Sequence, residues 1–466
     1  MKKFPLFSPK KTEYFLSLDI GRETVKAIVF CVTKEKESKR ITILGNATQY
    51  LDALDKVLTS LSFSIAKSVP VYGADNGSLL QEVRKTAILK TIEEAVNNAE
   101  SNSKKNKLPN SLGNNLAKRI KKEIQSAIIG LSADILKGKI HYCCLSRNHP
   151  NTLISEEEAE EIRLNVLRET KERVSQLLSR ELGFPLAELH LVSYRIIEIK
   201  IDGYEVPDLC DYKGKILEFK ALTAVLAEGY FADTIKIIQD YKKFSGNISK
   251  KPSSFKTIKI VHLAESLSDY LRNKKANGLF LDIGGNWTHI FLVNDGKITY
   301  INEFEFGGAV FSQSISERFG LEISQARILK EDYSKKLLSE GVRAKLREII
   351  WQDAEVWFRN LKQNLREIPC PIEENNEEDN GRRRTSWLLP REIFLFGGGS
   401  ELPEMAEILE EGDWEGMLIS PPQVKLFYPA DIADQFKKNQ VEFEDLTKNI
   451  NSPRNTDSIS FCYYEQ

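Results

Sequence analysis

Apolar and polar positions alternate along this chain in blocks, and two of the blocks share one order. Residues 14–30 run as an apolar strand, Asp19-Ile20-Gly21, a polar turn and a second apolar strand. Residues 278–293 repeat that order around Asp282-Ile283-Gly284-Gly285. Each block predicts strand, tight turn, strand. Between them, residues 41–45 predict a further strand, and residues 82–98 a helix with Val83, Ala87, Ile88, Ile92 and Val96 on one face. The Ser-, Asn- and Lys-rich residues 100–115 predict an exposed loop, residues 116–125 an amphipathic helix, and residues 126–132 a strand returning to the first sheet.

The middle of the chain changes character. Residues 139–145 predict a strand, and Ser155-Glu156-Glu157-Glu158 has the form of a capping box opening a long helix with Ile162, Val166, Val174 and Leu178 on one face. Strands over 188–200, 201–208 and 215–227 follow, and such a meander with one helix can make a small α+β unit. Then come a helix (234–241), a strand (257–262), a helix (266–274) and the second Asp-Ile-Gly block. Beyond it, residues 297–306 predict a strand, Gly307-Gly308 opens a helix to Arg318, and helices cover 323–336 and 342–365, where Trp351, Trp357 and Leu361 read as core. Residues 373–384 carry charge without apolar positions and predict a mobile loop. A last glycine loop, Gly397-Gly398-Gly399-Ser400, follows a strand at 391–396 and precedes a helix from Pro403.

Composition narrows the possibilities. With 466 residues, 41% of them hydrophobic, the chain can bury two or three domains. Its 66 basic and 67 acidic residues nearly cancel, so no global field favours nucleic acid, and none is expected as a partner. Cys31, Cys143, Cys144, Cys210, Cys370 and Cys462 lack metal spacing and read as reduced thiols, with Cys143 and Cys144 on opposite faces of a strand. His289 reads as a pleat residue. No run reaches the roughly 18–20 apolar residues of a membrane span, and residues 1–11, basic but broken by Pro5 and Pro9, do not form a secretory signal. A cytoplasmic protein is expected.

Adjacent glycines let a backbone approach an anion, and an aspartate at a strand end can hold magnesium through its waters. One such loop is ordinary turn chemistry, but three in this order resemble the actin-like ATPase superfamily. The resemblance implies an α/β, actin-like (ribonuclease H-like) two-lobed fold that binds ATP with magnesium. Asp19 and Asp282 would order the metal's water shell. The first loop would contribute Gly21, Arg22, Thr24 and Lys26, and the second Gly284, Gly285, Asn286 and Thr288. Gly307 and Gly308 would lie near the phosphates, Lys330 and Glu331 near the adenosine, and Gly397, Gly398, Gly399 and Ser400 along the nucleoside. Asn286 and Trp287 stand where relatives carry Gly and Thr, and no water-orienting residue is identified, so hydrolysis is expected to be weak or absent.

Within that superfamily, the inserted helix and meander with Asp202-Gly203-Tyr204, Pro207 and Tyr212-Lys213-Gly214 is similar to the subdomain of FtsA, the bacterial cell-division protein. The expected organisation is a first lobe over 12–135 and 228–276, an inserted subdomain over 136–227, a second lobe over 277–450, and flexible tails at 1–11 and 451–466. FtsA likeness implies filaments of the protein itself, an FtsZ-like tubulin homologue and membrane-embedded division proteins as partners, and a peripheral place at the inner face of the cell membrane. PilM, a cytoplasmic scaffold of type IV pilus or secretion machinery, shares the plan and is the alternative. The usual basic C-terminal anchor helix is missing, since Glu442, Glu444 and Asp445 oppose anionic lipid and Pro453 interrupts the segment.

Overall fold

The computed structural model describes residues 11–34, 38–51, 76–106, 116–182, 185, 188–245, 255–368, 388–418 and 420–464. The N-terminal ten residues, the charged stretch 373–384 and residues 107–115 lie outside it.

The first apolar block folds as the hairpin of β1 (Lys11–Ile20) and β2 (Thr24–Lys34), and β3 (Lys39–Tyr50) continues the meander. After α1 (Asn76–Lys105) and α2 (Leu116–Glu123), β4 (Ser126–Leu131) pairs with β1 in parallel, followed outward by β9 (Thr257–Ile260), which α4 (Glu228–Ser245) precedes and α5 (Leu263–Lys274) follows in the chain. At the opposite edge β15 (Val441–Asp445) pairs with β3, giving the order β15-β3-β2-β1-β4-β9. Leu16, Leu18, Val25, Ala27 and Val29, which the register puts on one face of the hairpin, are fully buried.

A second, five-stranded sheet has the order β12-β11-β10-β13-β14, built from β10 (Gly278–Ile283), β11 (Thr288–Asn294), β12 (Lys297–Phe304), β13 (Glu392–Phe396) and β14 (Gln423–Leu426). Side-chain alternation divides β10 between two cores. Leu279, Leu281 and Ile283 pack with α6 (Gly308–Phe319), α7 (Ile323–Ser334), α8 (Glu340–Leu365) and α9 (Pro403–Glu411), where Trp357 and Leu361 are buried as expected. Phe280, on the other face, stacks on Phe394 at 4.4 Å and meets Phe427 edge-on. The third sheet, β5-β8-β6-β7, consists of β5 (Lys137–Ser146), β6 (Leu189–Ile201), β7 (Tyr204–Glu205) and β8 (Ile216–Ala227), with α3 (Glu156–Leu182) against β5 and β6. Ser155 Oγ accepts from the Glu158 amide at 3.2 Å, the expected cap. Cys143 is buried and Cys144 exposed.

The chain divides into two compact units. One holds Met1–Ile135, Leu226–Ser266 and Tyr428–Gln466; the other holds Leu136–Val225 and Leu267–Phe427. Three expectations change. The four-stranded subdomain shares its unit with the second five-stranded sheet, not with the first lobe, and within that unit Lys137 of β5 and Glu303 of β12 make a buried ion pair at 2.8 Å. Residues 428–464 return to the first unit through α10 (Pro429–Lys437) and β15, although the sequence suggested that the second lobe continued to 450.

The segment expected as a flexible tail is instead a turn at Pro453–Asn455 and the helix α11 (Thr456–Tyr463). Ile459, Phe461, Cys462 and Tyr463 are buried, Phe461 against Gly130 of β4. Ser17 donates to the Ser458 carbonyl at 3.2 Å, and Ser266 and Ser460 share a hydrogen bond of 2.7 Å. Pro453 does not stop this helix; it opens the preceding turn, a position where a missing amide hydrogen costs nothing. The loop expected from residue 100 begins later, since α1 runs to Lys105.

Candidate functional site: two hairpins with paired aspartates

The two hairpins share one register. In the first, Asp19 lies opposite Lys26; in the second, Asp282 lies opposite His289. Residues paired across an antiparallel ladder point to the same face, so each aspartate acquires a basic side chain seven residues later. Lys26 Nζ is 2.9 Å from Asp19 Oδ2, and His289 Nδ1 is 2.9 Å from Asp282 Oδ2.

In the first unit the pair is a triad. Lys26 also reaches Asp457 of α11 at 3.0 Å and donates to the Arg454 carbonyl at 2.7 Å. Burial, and then the Asp457 charge, push the Asp19 carboxyl up to about 7, with Lys26 opposing. Burial works against the Asp457 carboxylate too, but Lys26 and a hydrogen bond from Asp19 hold it below its ordinary value. The two carboxyls thus share one proton up to neutral pH. The folded protein keeps a proton that unfolded Asp19 loses near 3.8, so this group's contribution to stability declines as pH rises from about 4 to about 7. Thermal melts from pH 4.5 to 7.5 should show wild type losing ground steadily to Asp19→Asn. Parallel curves for the two proteins would refute the shared proton.

The rest of the first loop is near at hand. The Gly21 amide donates to the Thr24 carbonyl at 2.9 Å, closing the turn, and Arg22 Nη1 lies 3.3 Å from Asp134 Oδ2. Arg22, proposed from the sequence as a phosphate partner, therefore already has a carboxylate.

In the second unit three glycine segments meet. The Gly284 and Gly285 carbonyls accept from the first amides of α6, Gly308 at 2.9 Å and Ala309 at 2.7 Å. A Cβ on Gly307 would stand 2.5 Å from the Gly285 oxygen and 2.6 Å from that of Gly284, so only glycine fits. Lys330 Nζ donates to the Gly308 carbonyl, placing α7 against the same corner, while Glu331 pairs with Lys335 at 3.4 Å. Gly397, at φ 82°, brings its loop so close to Asp282 that a Cβ would lie 2.2 Å from Oδ1. Gly399 packs on Ile283, and Ser400 donates to the Gly397 carbonyl at 2.7 Å. Gly398 differs, with nothing within 4 Å of the position a side chain would take. Tyr333 of α7 donates to the fully buried Glu404 of α9, joining the elements that flank this corner.

Thr288 does not offer its hydroxyl to this corner. It is fully buried, donates to the Phe306 carbonyl at 2.6 Å and accepts from Trp357 Nε1 at 2.9 Å. Asn286 stays in the turn, its Oδ1 buried without a hydrogen-bond partner.

Sequence reasoning missed Asp457, His289, Glu303 and Lys137. His289 lies opposite Glu303 of β12 as well as Asp282. Burial alone would depress its pKa, but Asp282 and then Glu303 raise it above its ordinary value. Burial likewise opposes the Glu303 carboxylate, and Lys137 more than compensates. The seven-residue spacing from each aspartate to a basic residue was a signal available in the sequence. Nothing local pointed to Asp457 or Lys137.

Among the described residues no cluster of three or more His, Cys, Asp or Glu side chains is placed to hold a metal ion. Asp19 faces Lys26 and Asp282 faces His289, so in the second unit a magnesium ion carried by a nucleotide would take phosphate and water as inner ligands and meet Asp282 only through water.

The sequence family described as type IV pilus assembly protein PilM matches residues 256–346, which span β9 to the start of α8 and include the second hairpin. No curated protein matches the chain. Among solved structures it is similar to a chain of a PilM–PilN type IV pilus biogenesis complex, with a TM-score of 0.52 and 14% identity over 97% of this chain and 98% of that one. Looser likenesses join it to the ethanolamine utilization protein EutJ of Carboxydothermus hydrogenoformans (TM-score 0.38, 11% identity, 99% and 92% covered) and to MreB 5 of Spiroplasma citri bound to AMPPNP (0.34, 11%, 98% and 96%). The fold is that of the actin-like ATPases, as the repeated hairpins implied. The PilM match supports the branch of that superfamily in which PilM and FtsA stand.

Proposed function

We propose that this protein is a PilM-like scaffold of a type IV pilus or related secretion machine, and that it binds ATP. The observation that carries this reading is the PilM match over residues 256–346, reinforced by a likeness along the whole chain to part of a PilM–PilN complex. The order of motifs had favoured FtsA, with an FtsZ-like partner. That order is common to both families, however, and the family the match names is PilM.

The nucleotide is held at the glycine corner of the second unit. The Gly284 amide closes the turn on the Trp287 carbonyl at 2.9 Å, Lys330 adds a cation close to Gly308 for the phosphates, and the open side of Gly398 receives the nucleoside. Bound magnesium would neutralise phosphate charge. Asp282 and His289 keep the turn oriented, and no residue of this corner is assigned to activating water. The partner is a PilN-like protein, as in the PilM–PilN complex. Among the described residues no helix is long and apolar enough to cross a membrane, and the apolar side chains of α11 are already buried. Self-association through unlike surfaces, which propagates filaments, belongs to the same reading.

Affinity purification of the tagged chain from its native cell, read by mass spectrometry, tests the assignment. Pilus assembly proteins, a PilN-like one foremost, should be enriched. Enrichment of a tubulin-like ring polymer without them would restore the FtsA reading.

A further inference from the structure

Four side chains, alternately acidic and basic and all largely buried, cross the second unit. Asp282 on β10 pairs with His289 on β11, His289 lies opposite Glu303 on β12, and Glu303 Oε1 bonds Lys137 on β5 at 2.8 Å. The line then turns back on itself, because Lys137 Nζ stands over the Trp287 ring at 4.6 Å, and Trp287 lies in the turn that follows Asp282. Lys137 and Glu303 are only 9% and 6% exposed, so neither charge has bulk water as an alternative partner.

The turn has few other side-chain restraints. Trp287 Nε1 and Asn286 Oδ1 are both buried without hydrogen-bond partners. What fixes the indole is packing and the ammonium beneath it, and a desolvated cation over tryptophan is the strongest form of that contact. The ammonium in turn belongs to the four-stranded sheet, since Lys137 pairs with Val225 in the β5–β8 ladder. That same ladder carries Tyr142, 60% exposed, with Lys220 over its ring at 5.1 Å. One strand therefore has its first residue under the loop and its middle at the surface.

We propose that Lys137 is a positioning residue for the second glycine turn, so that the state of that turn and the order of the four-stranded sheet depend on one another. The inference deepens the nucleotide reading above and rests on it for the identity of the ligand. The mechanical link does not, because both ends are present without ligand. Coupling free energy is reciprocal: whatever orders the turn orders β5, and whatever orders β5 presets the turn.

Hydrogen exchange on the full chain tests this, first without nucleotide. Trp287→Leu removes the aromatic end only, and Lys137→Met paired with Glu303→Gln removes the cation without stranding a buried carboxylate. The double variant should raise exchange of the amides of residues 284–288 about ten-fold, and Trp287→Leu should raise that of residues 137–146 and 216–225 by a similar factor. Peptides of α8 and β13 should not change, and Lys137→Arg should behave as wild type. No change at 284–288 in the double variant, or a uniform rise across the whole unit, would overturn the proposal. ATP with magnesium is then added. Wild type should gain protection at 284–288 and at 137–146, and the double variant at 284–288 alone. Absence of ATP protection everywhere in wild type would count against nucleotide binding, while the ligand-free comparison still decides the role of Lys137.

Discussion

Lys26→Met is expected to lower the unfolding free energy of the first unit by about 3–5 kcal/mol, the usual cost of stranding a buried charge. Lys26 is the only cation contacting both Asp19 and Asp457 among the described ion pairs, and the side chains of all three are 13–16% exposed. Removing the ammonium leaves two carboxyls hydrogen-bonded to each other and the Arg454 carbonyl without its 2.7 Å donor. Because Asp457 lies in the first turn of α11 and Arg454 just before it, the loss should loosen the C-terminal helix before the sheet. Urea unfolding followed by far-UV circular dichroism gives the magnitude, and exchange of the amides of residues 456–463 gives the location. Adding Asp457→Asn should recover most of the loss, since the remaining Asp19 carboxyl can stay protonated near neutral pH. A loss below about 1 kcal/mol would place the triad with exposed ion pairs, which contribute little.

How much of this could be read beforehand depended on how locally each feature is encoded. Both hairpins were legible because an uninterrupted apolar run, a glycine turn and a second apolar run leave little else for the backbone to do. The capping box at Ser155 and the amphipathic α8 were legible for the same reason. Helix α11 was not: Thr456, Ser458 and Ser460 are buried, the two serine hydroxyls donating to Asp457, so the segment reads as polar although its surroundings are not. Thr288 was misjudged because one residue along a strand reverses the face, and its hydroxyl belongs to the core with Trp357. The allegiance of the subdomain was hidden too. Chain order places the expected subdomain, 136–227, within the first lobe, whereas contacts made only in three dimensions, the Lys137–Glu303 pair among them, put residues 136–225 in the unit of the second sheet.

The glycine corner gives the sharpest probe of nucleotide binding, because its three consecutive glycines are not equivalent. Substitution at Gly397 or Gly399 would push a side chain into Asp282 or Ile283 and confuse binding with folding. Gly398 faces open space, so Gly398→Leu should fold with an unchanged thermal midpoint while filling the volume assigned to the nucleoside. The most direct measurement is isothermal titration of ATP with magnesium into the folded, nucleotide-free chain and into Gly398→Leu. Saturable heat in wild type, reduced at least about a hundred-fold in affinity in the variant, corresponds to roughly 2.7 kcal/mol of lost binding and is the predicted result. No heat in wild type, or equal affinity in the two proteins, would contradict a nucleotide seated at this corner.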